Sequence, residues 1–289
     1  MMETIFYIFF AILQIGVIYA LISLGFNILY STTRIINVAY GEFITLGAFL
    51  AYWLYVIYKI TPEASIFASM AFAILLAIPL HSFIFKPILS KRNVIYIEIW
   101  GVIVTFGLSL FMQGMMSYLW SGSFRGYSYL DEIIDLGIVS FMLNKVLIIF
   151  IGLLFIIITY LLFYRTELGI LMRAIIQDPE LAENLGLNTN KIFFLSTIIS
   201  LGIAGAVGVL VSLMSEIHPF MGSFYLIIAF ITTVLGGIGN PVGSLFAGFI
   251  VGSLDVLTGY IFGAGAKLVV IYLSLILILI LRPTGLFGR

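Results

Sequence analysis

The chain is a succession of long apolar runs broken by short polar interruptions. The runs cover approximately 5–30, 43–58, 64–85, 95–118, 145–164, 192–214, 223–236, 242–261 and 263–281. A helix that crosses a bilayer needs about 20 mostly apolar residues, and most of these runs reach or approach that length. They are continuous rather than alternating, which predicts helices and excludes the strands of a closed barrel. The expected architecture is an all-α polytopic membrane protein, one domain over residues 1–289, built as a bundle of eight or nine transmembrane helices. The count turns on 223–261, where "LGGIGNPVG" (235–243) interrupts one apolar region with four glycines and a proline. Such an interruption predicts a broken or re-entrant segment. The first run follows an acidic start with no basic flank, so it reads as a retained helix rather than a cleaved signal.

Composition makes the membrane reading firm. The chain is 63% hydrophobic and 9% charged, against roughly 25% charged residues in soluble domains. A formal net charge of +0 gives no electrostatic basis for nucleic-acid binding. There are no cysteines, which removes disulfides and thiolate ligands. His81 and His218 lie far apart and belong to no metal-ligand spacing, so neither a metal nor a bound cofactor is expected. Small residues crowd "LGIAGAVG" (201–208) and "GSLFAGFIVGSL" (243–254), and Gly248–Gly252 and Gly239–Gly243 form GxxxG pairs. Small faces let helices approach closely in lipid.

Basic residues near span ends set orientation. One set of alternate loops holds Arg34, Lys86, Lys91, Arg92, Arg165, Arg173, Lys191, Arg282 and Arg289, nine in all; the opposite set holds four, Lys59, Arg125, Lys145 and Lys267. The first set is therefore expected in the cytoplasm, with the C-terminus inside and, for nine spans, the N-terminus outside. Residues 119–144 become an external segment carrying "LDEIID" (130–135), and 165–191 a cytoplasmic loop.

That loop predicts a short amphipathic helix over 179–186. Asp178 is a candidate N-cap, Pro179 suits the first helical position, Glu180 suits the first turn, and Gly186 suits a left-handed stop. Leu181 and Leu185 share one face. Such a helix is either a solvated connector or a docking element for a soluble partner.

Ionisable residues at membrane depth are candidates for function. Glu42, in "INVAYGEF" (36–43), is expected at the inner end of the second span, at a helix start inside the bundle. There it either caps that helix or lines a path, with Arg34 as a possible ion-pair partner. Asn37 can satisfy backbone groups freed by a helix break. Broken helices at matching places in two halves are a transporter feature; the breaks at 31–42 and 236–242 are the two candidates. If both point inward, Asn37, Gly41, Glu42, Gly236, Gly237 and Asn240 flank the path. Elsewhere, Asp255 and Lys267 are expected to meet at the outer face, Glu98 to turn inward, Glu216 and His218 to sit in a solvated external loop, and His81 to be a satisfied bundle residue.

Four motifs in register resemble the permease subunits of bacterial and archaeal ABC importers of the branched-chain amino acid (LivH-like) type. The loop carries Gly169, Arg173, Ala174, Asp178, Ala182, Gly186 and Asn188 at the spacing of that family's ATPase-coupling segment. Tyr30 and Ser31 precede Ile36, Asn37, Val38, Ala39, Tyr40, Gly41 and Glu42, matching its Ile-Asn-Phe-Ala-His-Gly-Glu apart from Val38 and Tyr40. "VLGGIG" (234–239) and "PTGLFGR" (283–289) complete the match. The resemblance implies a permease that pairs with a homologous second permease, two cytoplasmic ATPases and an extracellular solute-binding protein in a prokaryotic cell membrane. The chain lacks GxxxxGK[ST], so ATP would be used by those partners. Two other classes are weighed against it: a secondary transporter or channel for small polar solutes, which needs no coupling loop, and a membrane enzyme, which needs convergent catalytic groups the chain lacks.

Overall fold

A computed structural model describes residues 2–91, 93–135 and 140–288. Its elements are α1 (Met2–Thr33), α2 (Tyr40–Tyr58), α3 (Pro62–Pro79), a π-helical stretch Leu80–Phe85, α4 (Lys86–Leu89), α5 (Val94–Trp120), β1 (Ile133–Asp135), β2 (Ser140–Met142), α6 (Leu143–Arg165), α7 (Glu167–Gln177), α8 (Pro179–Asn184), α9 (Thr189–Ser212), α10 (Met221–Gly236), α11 (Pro241–Phe262) and α12 (Lys267–Leu281). Among the described residues, eight helical segments are long and apolar enough to span a bilayer, and the 16-residue α10 is a shorter apolar helix. At 1.5 Å per residue α10 is about 24 Å long, less than the ~30 Å hydrocarbon layer. The protein is an all-α polytopic membrane protein, as its apolar runs predict. One small antiparallel hairpin, β1–β2, lies in the 119–144 segment and was not expected.

Local chemistry sets the ends. Asn93, Thr166, Asp178, Asn188 and Asn240 cap α5, α7, α8, α9 and α11, each side chain accepting from a first-turn N–H. Pro62, Pro179 and Pro241 occupy first helical positions, where their missing N–H costs no bond. Pro79 within a helix is followed at once by the π stretch, as its lost donor and ring clash require a local adjustment.

α1, α2 and α9 form the core, and α11 packs along α1. Backbone proximity through small residues holds them. A Cβ on Gly248 would lie 2.4 Å from the Ala20 backbone, and one on Gly252 2.7 Å from Gly16. A Cβ on Gly208 would lie 2.1 Å from the Ile44 carbonyl. The first expected GxxxG pair is thus a packing face; the second lies across the break, spanning the α10–α11 turn. α5, α6 and α12 are peripheral and turn apolar side chains outward, among them Phe106, Phe150 and Ile280, as lipid requires.

One end of the bundle gathers Arg34, Lys86, Lys91, Arg165, Arg173, Lys191 and Arg282; Arg92 and Arg289 lie outside the described residues. The other end holds the hairpin and an aromatic belt. There Arg125 lies over Tyr52 and Trp53 at 5.7 and 5.2 Å, and Trp120 stacks on Phe49. Tyr129 donates to Glu63 at 2.9 Å; burial and that carboxylate push its phenol up to about 12, so it stays a donor. Lys267 and Asp255 meet at 3.0 Å, as expected, and Tyr19 donates to Asp255 at 2.6 Å.

Candidate functional site

After α1 the chain reverses at Arg34, whose φ of 59° is left-handed. Residues 34–39 then run back into the bundle. Thr105 of α5 pins them there: its hydroxyl accepts from Val38 N–H at 2.9 Å and lies 3.1 Å from the Ile36 carbonyl. Asn37 accepts from Ala39 N–H at 3.1 Å, which shapes the turn into α2. Helix α2 therefore starts in the interior. Tyr40 is fully buried, packs edge-on to Phe26 and donates to the Ile22 carbonyl at 3.2 Å. Ile22 is well inside α1, so α2 begins near mid-height rather than at the end of a span.

Glu42 is 1% exposed. One carboxylate oxygen accepts from Ser109 at 3.1 Å and from Gln113 at 2.8 Å. Ser109 lies in the middle of the 27-residue α5. The other oxygen, Oε2, has no hydrogen-bond partner, and neither does Asn37 Nδ2. Glu42 thus sits at a helix start inside the bundle. Two expectations change. It is deeper than the inner end of its span, because 34–39 re-enter. Its partners are neutral, because Arg34 stays behind at the exposed turn.

The start of α10 meets the start of α2. A Cβ on Gly41 would fall 2.0 Å from the Gly222 carbonyl oxygen, and one on Gly222 2.7 Å from that of Gly41. Neither position has room for a side chain. Gln113 also donates to Ser223 at 3.2 Å. Ser109, Gln113 and Ser223 were missed because isolated polar residues in apolar runs look like ordinary helix positions.

Gly236, Gly237 and Asn240 lie elsewhere. They form the α10–α11 turn, at the far end of α10 from Gly222, roughly 21 Å along the helix axis at its usual rise. Gly237 and Gly239 have φ of 98° and 83°, which side chains other than glycine's adopt at a cost. Asn27 of α1 clamps this turn. It donates to the Gly237 and Asn240 carbonyls at 3.3 Å, donates to Ser244, and accepts from Gly239 N–H at 3.1 Å. Asn240 in turn donates to Phe287 O at 2.9 Å, so the C-terminal "PTGLFG" packs against the glycines. The structure therefore joins Asn37, Gly41 and Glu42 and separates them from Gly236, Gly237 and Asn240.

The loop residues form a second constellation. A Cβ on Gly169 would lie 2.1 Å from the Phe163 carbonyl, and Arg173 of α7 donates to that same carbonyl, its guanidinium over the Phe163 and Tyr164 rings. Ala174 O accepts from Asp178 N–H at 3.1 Å. Asp178 caps α8 through Glu180 and Leu181 N–H, Ala182 is buried, Gly186 takes φ 88°, and Asn188 caps α9. α8 is thus held between α7 and α9. Its Leu181 and Leu185 are 56% and 75% exposed. A cleft of about 510 Å³ runs from Asp178 and Glu180 to Thr33, Arg34 and Lys86, so the loop borders the turn that leads to Glu42.

The remaining polar expectations divide cleanly. His81 is buried and lies 3.2 Å from the Thr197 hydroxyl. Glu98 accepts from Tyr30 at 3.2 Å. Glu216 is exposed and His218 packs on Phe124.

Comparison with known proteins decides the family. The family described as "Branched-chain amino acid transport system / permease component" matches residues 8–281. The chain belongs to the branched-chain amino acid permease family. It is 30% identical to a probable branched-chain amino acid transport permease LivH of Methanocaldococcus jannaschii, over 96% of this chain and 92% of that one. It is 28% identical to the permease BraD of Pseudomonas aeruginosa, over 96% and 94% of the two chains. LivH of Escherichia coli is 27% identical over 95% and 92%. No solved structure matches. The chain is a multi-pass transport subunit, not an enzyme, as its family and apolar helices establish.

Proposed function

We propose that this chain is one of two permease subunits of an ATP-driven ABC importer for branched-chain or other amino acids. An extracellular solute-binding protein delivers the solute, a homologous second permease stands beside this one in a prokaryotic cell membrane, and two cytoplasmic ATPases drive the cycle. ATP is used by those partners, since this chain has no phosphate-binding loop. The basic end faces the cytoplasm, which puts the C-terminus inside and residues 119–144 outside. With α10 counted as a pass, the N-terminus lies outside.

The observation that carries this reading is α8. Two leucines on one face stand in the open at the basic end, on a helix anchored by Gly169, Arg173, Asp178 and Asn188 rather than left loose. An exposed apolar pair on a fixed mount is the form of a docking site. Motion of α8 is passed to α7 and α9, which hold it, and across the cleft to Arg34 and the segment before Glu42. Asn37, Gly41 and Glu42 line the path, and Gly236, Gly237 and Asn240 form its cytoplasmic turn. A second reading, an ATPase-independent transporter, takes its support from the carboxylate at mid-height, but it leaves α8 without a purpose.

A single cysteine tests this. The chain has no cysteines, so a Leu185→Cys chain carries one thiol. A membrane-impermeant thiol reagent is expected to modify it from the cytoplasmic side only, and assembly with the ATPases to block modification. Modification from outside, or equal modification with and without the ATPases, would overturn the orientation and the docking assignment.

A further inference from the structure

The α1–α2–α3 and α9–α10–α11 segments follow one route in opposite directions. α1 runs from the hairpin end to the basic end; α9 runs the other way. Each is followed by a non-helical stretch, 34–39 or 213–220, and then by a helix that starts beside a buried glycine, Gly41 or Gly222. Each of those helices ends in a residue of positive φ, Lys59 or Gly237, and each following helix opens on a proline, Pro62 or Pro241. Packing repeats as well: α1 lies on α11 as α9 lies on α3, and α1 meets α9 as α2 meets α10. The sequence keeps a trace. Gly41, Phe43, Ala48 and Phe49 recur at the same spacing as Gly222, Phe224, Ala229 and Phe230; Pro62, Ser65, Phe67 and Ala68 recur as Pro241, Ser244, Phe246 and Ala247. The two halves form an inverted repeat, and its axis passes between Gly41 and Gly222. Inverted repeats of this kind set substrate sites at the repeat interface, near the midplane.

At that junction two helix N-termini, each worth about half a positive charge, converge on one buried carboxylate. Glu42 Oε2 has no hydrogen-bond partner and points at the start of α10, 2.8 Å from where a Gly222 Cβ would be. Ser223 takes the place of Glu42 in the second repeat and is exposed. Met221 N–H is taken by the His218 carbonyl at 3.2 Å; the N–H groups that follow it in the first turn of α10 have no intrahelical acceptors. One turn further along α10, Leu226, Ile227 and Phe230 line an apolar groove of about 280 Å³, which Ile36 and Val38 on either side of Asn37 share with Phe26 of α1 and Tyr272 and Leu275 of α12.

We propose that this junction is a subsite for a zwitterionic amino acid with an apolar side chain. The ammonium group meets Glu42, the carboxylate meets the start of α10 and the Ser223 hydroxyl, and the side chain lies in the groove. The proposal rests on the permease reading above and supplies its substrate contacts.

The test uses the assembled transporter carrying Ser223→Cys, again the only thiol in this chain, with Leu226→Cys as a second position. Leucine at about ten times its half-saturating concentration leaves about one site in ten free, so thiol modification is expected to slow roughly tenfold. Neither 4-methylpentanoate, which lacks the amine, nor 3-methylbutylamine, which lacks the carboxylate, protects at that concentration. Adding Glu42→Gln raises the leucine concentration needed by about tenfold or more. Modification at the same rate with and without leucine, no modification at either position, or equal protection by all three compounds overturns the subsite. Those outcomes in a transporter that still accumulates leucine with ATP leave the permease reading standing. Protection without any ATP-driven uptake instead overturns the importer reading and keeps the subsite.

Discussion

Replacing Gly41 with valine is expected to abolish uptake and to destabilise the chain by more than about 3 kcal/mol, the upper range for overpacking a closed site. The clash is backbone on side chain: an added Cβ would sit 2.0 Å from the Gly222 carbonyl oxygen. A flexible neighbour could swing aside, but a carbonyl fixed in the first turn of α10 cannot do so without moving the helix. The matched control is Gly114→Val on α5, where a Cβ meets nothing within 4 Å; it should insert, unfold and transport like the parent. Thermal unfolding in detergent, read beside uptake, checks both. A Gly41→Val chain with parental stability would mean that the two helix starts do not touch.

Aspartate at both Leu181 and Leu185 is expected to separate stability from transport. Both side chains are largely exposed and Ala182, the buried contact of α8, is untouched, so insertion and unfolding should change little; exposed substitutions usually stay within about 0.5 kcal/mol. Two charges in the centre of an apolar contact are a different matter, since burying an unpaired carboxylate is strongly unfavourable. Uptake should fall by at least about an order of magnitude and the ATPases should no longer co-purify. Uptake at the parental rate, with the protein inserted, would sink the coupling role of α8.

Much of this was legible in the residues. The spans follow from apolar runs, and Asp178, Pro179 and Gly186 announce α8 because capping is local chemistry. Glu42 stood out because a carboxylate beside a long apolar run is costly. What escaped was non-local. The break that matches 34–39 is 213–220, not the glycine cluster at 236–239. That cluster drew notice because glycine is conspicuous, yet it serves as a tight turn needing positive φ. The true partner break holds no glycine before Gly222 and resembles a plain surface loop. Ser109 and Gln113 became visible only once α5 was seen to turn them toward Glu42. The inverted repeat survives at a handful of positions, those where backbones touch or a helix begins, and only the packing shows which ones correspond.

The most direct measurement is leucine accumulation in sealed vesicles, comparing this chain alone with this chain assembled with its second permease, its ATPases and its binding protein. Accumulation is predicted only in the assembled case, with ATP on the side of the basic end and binding protein on the other. Accumulation by this chain alone, without ATP, would contradict the account.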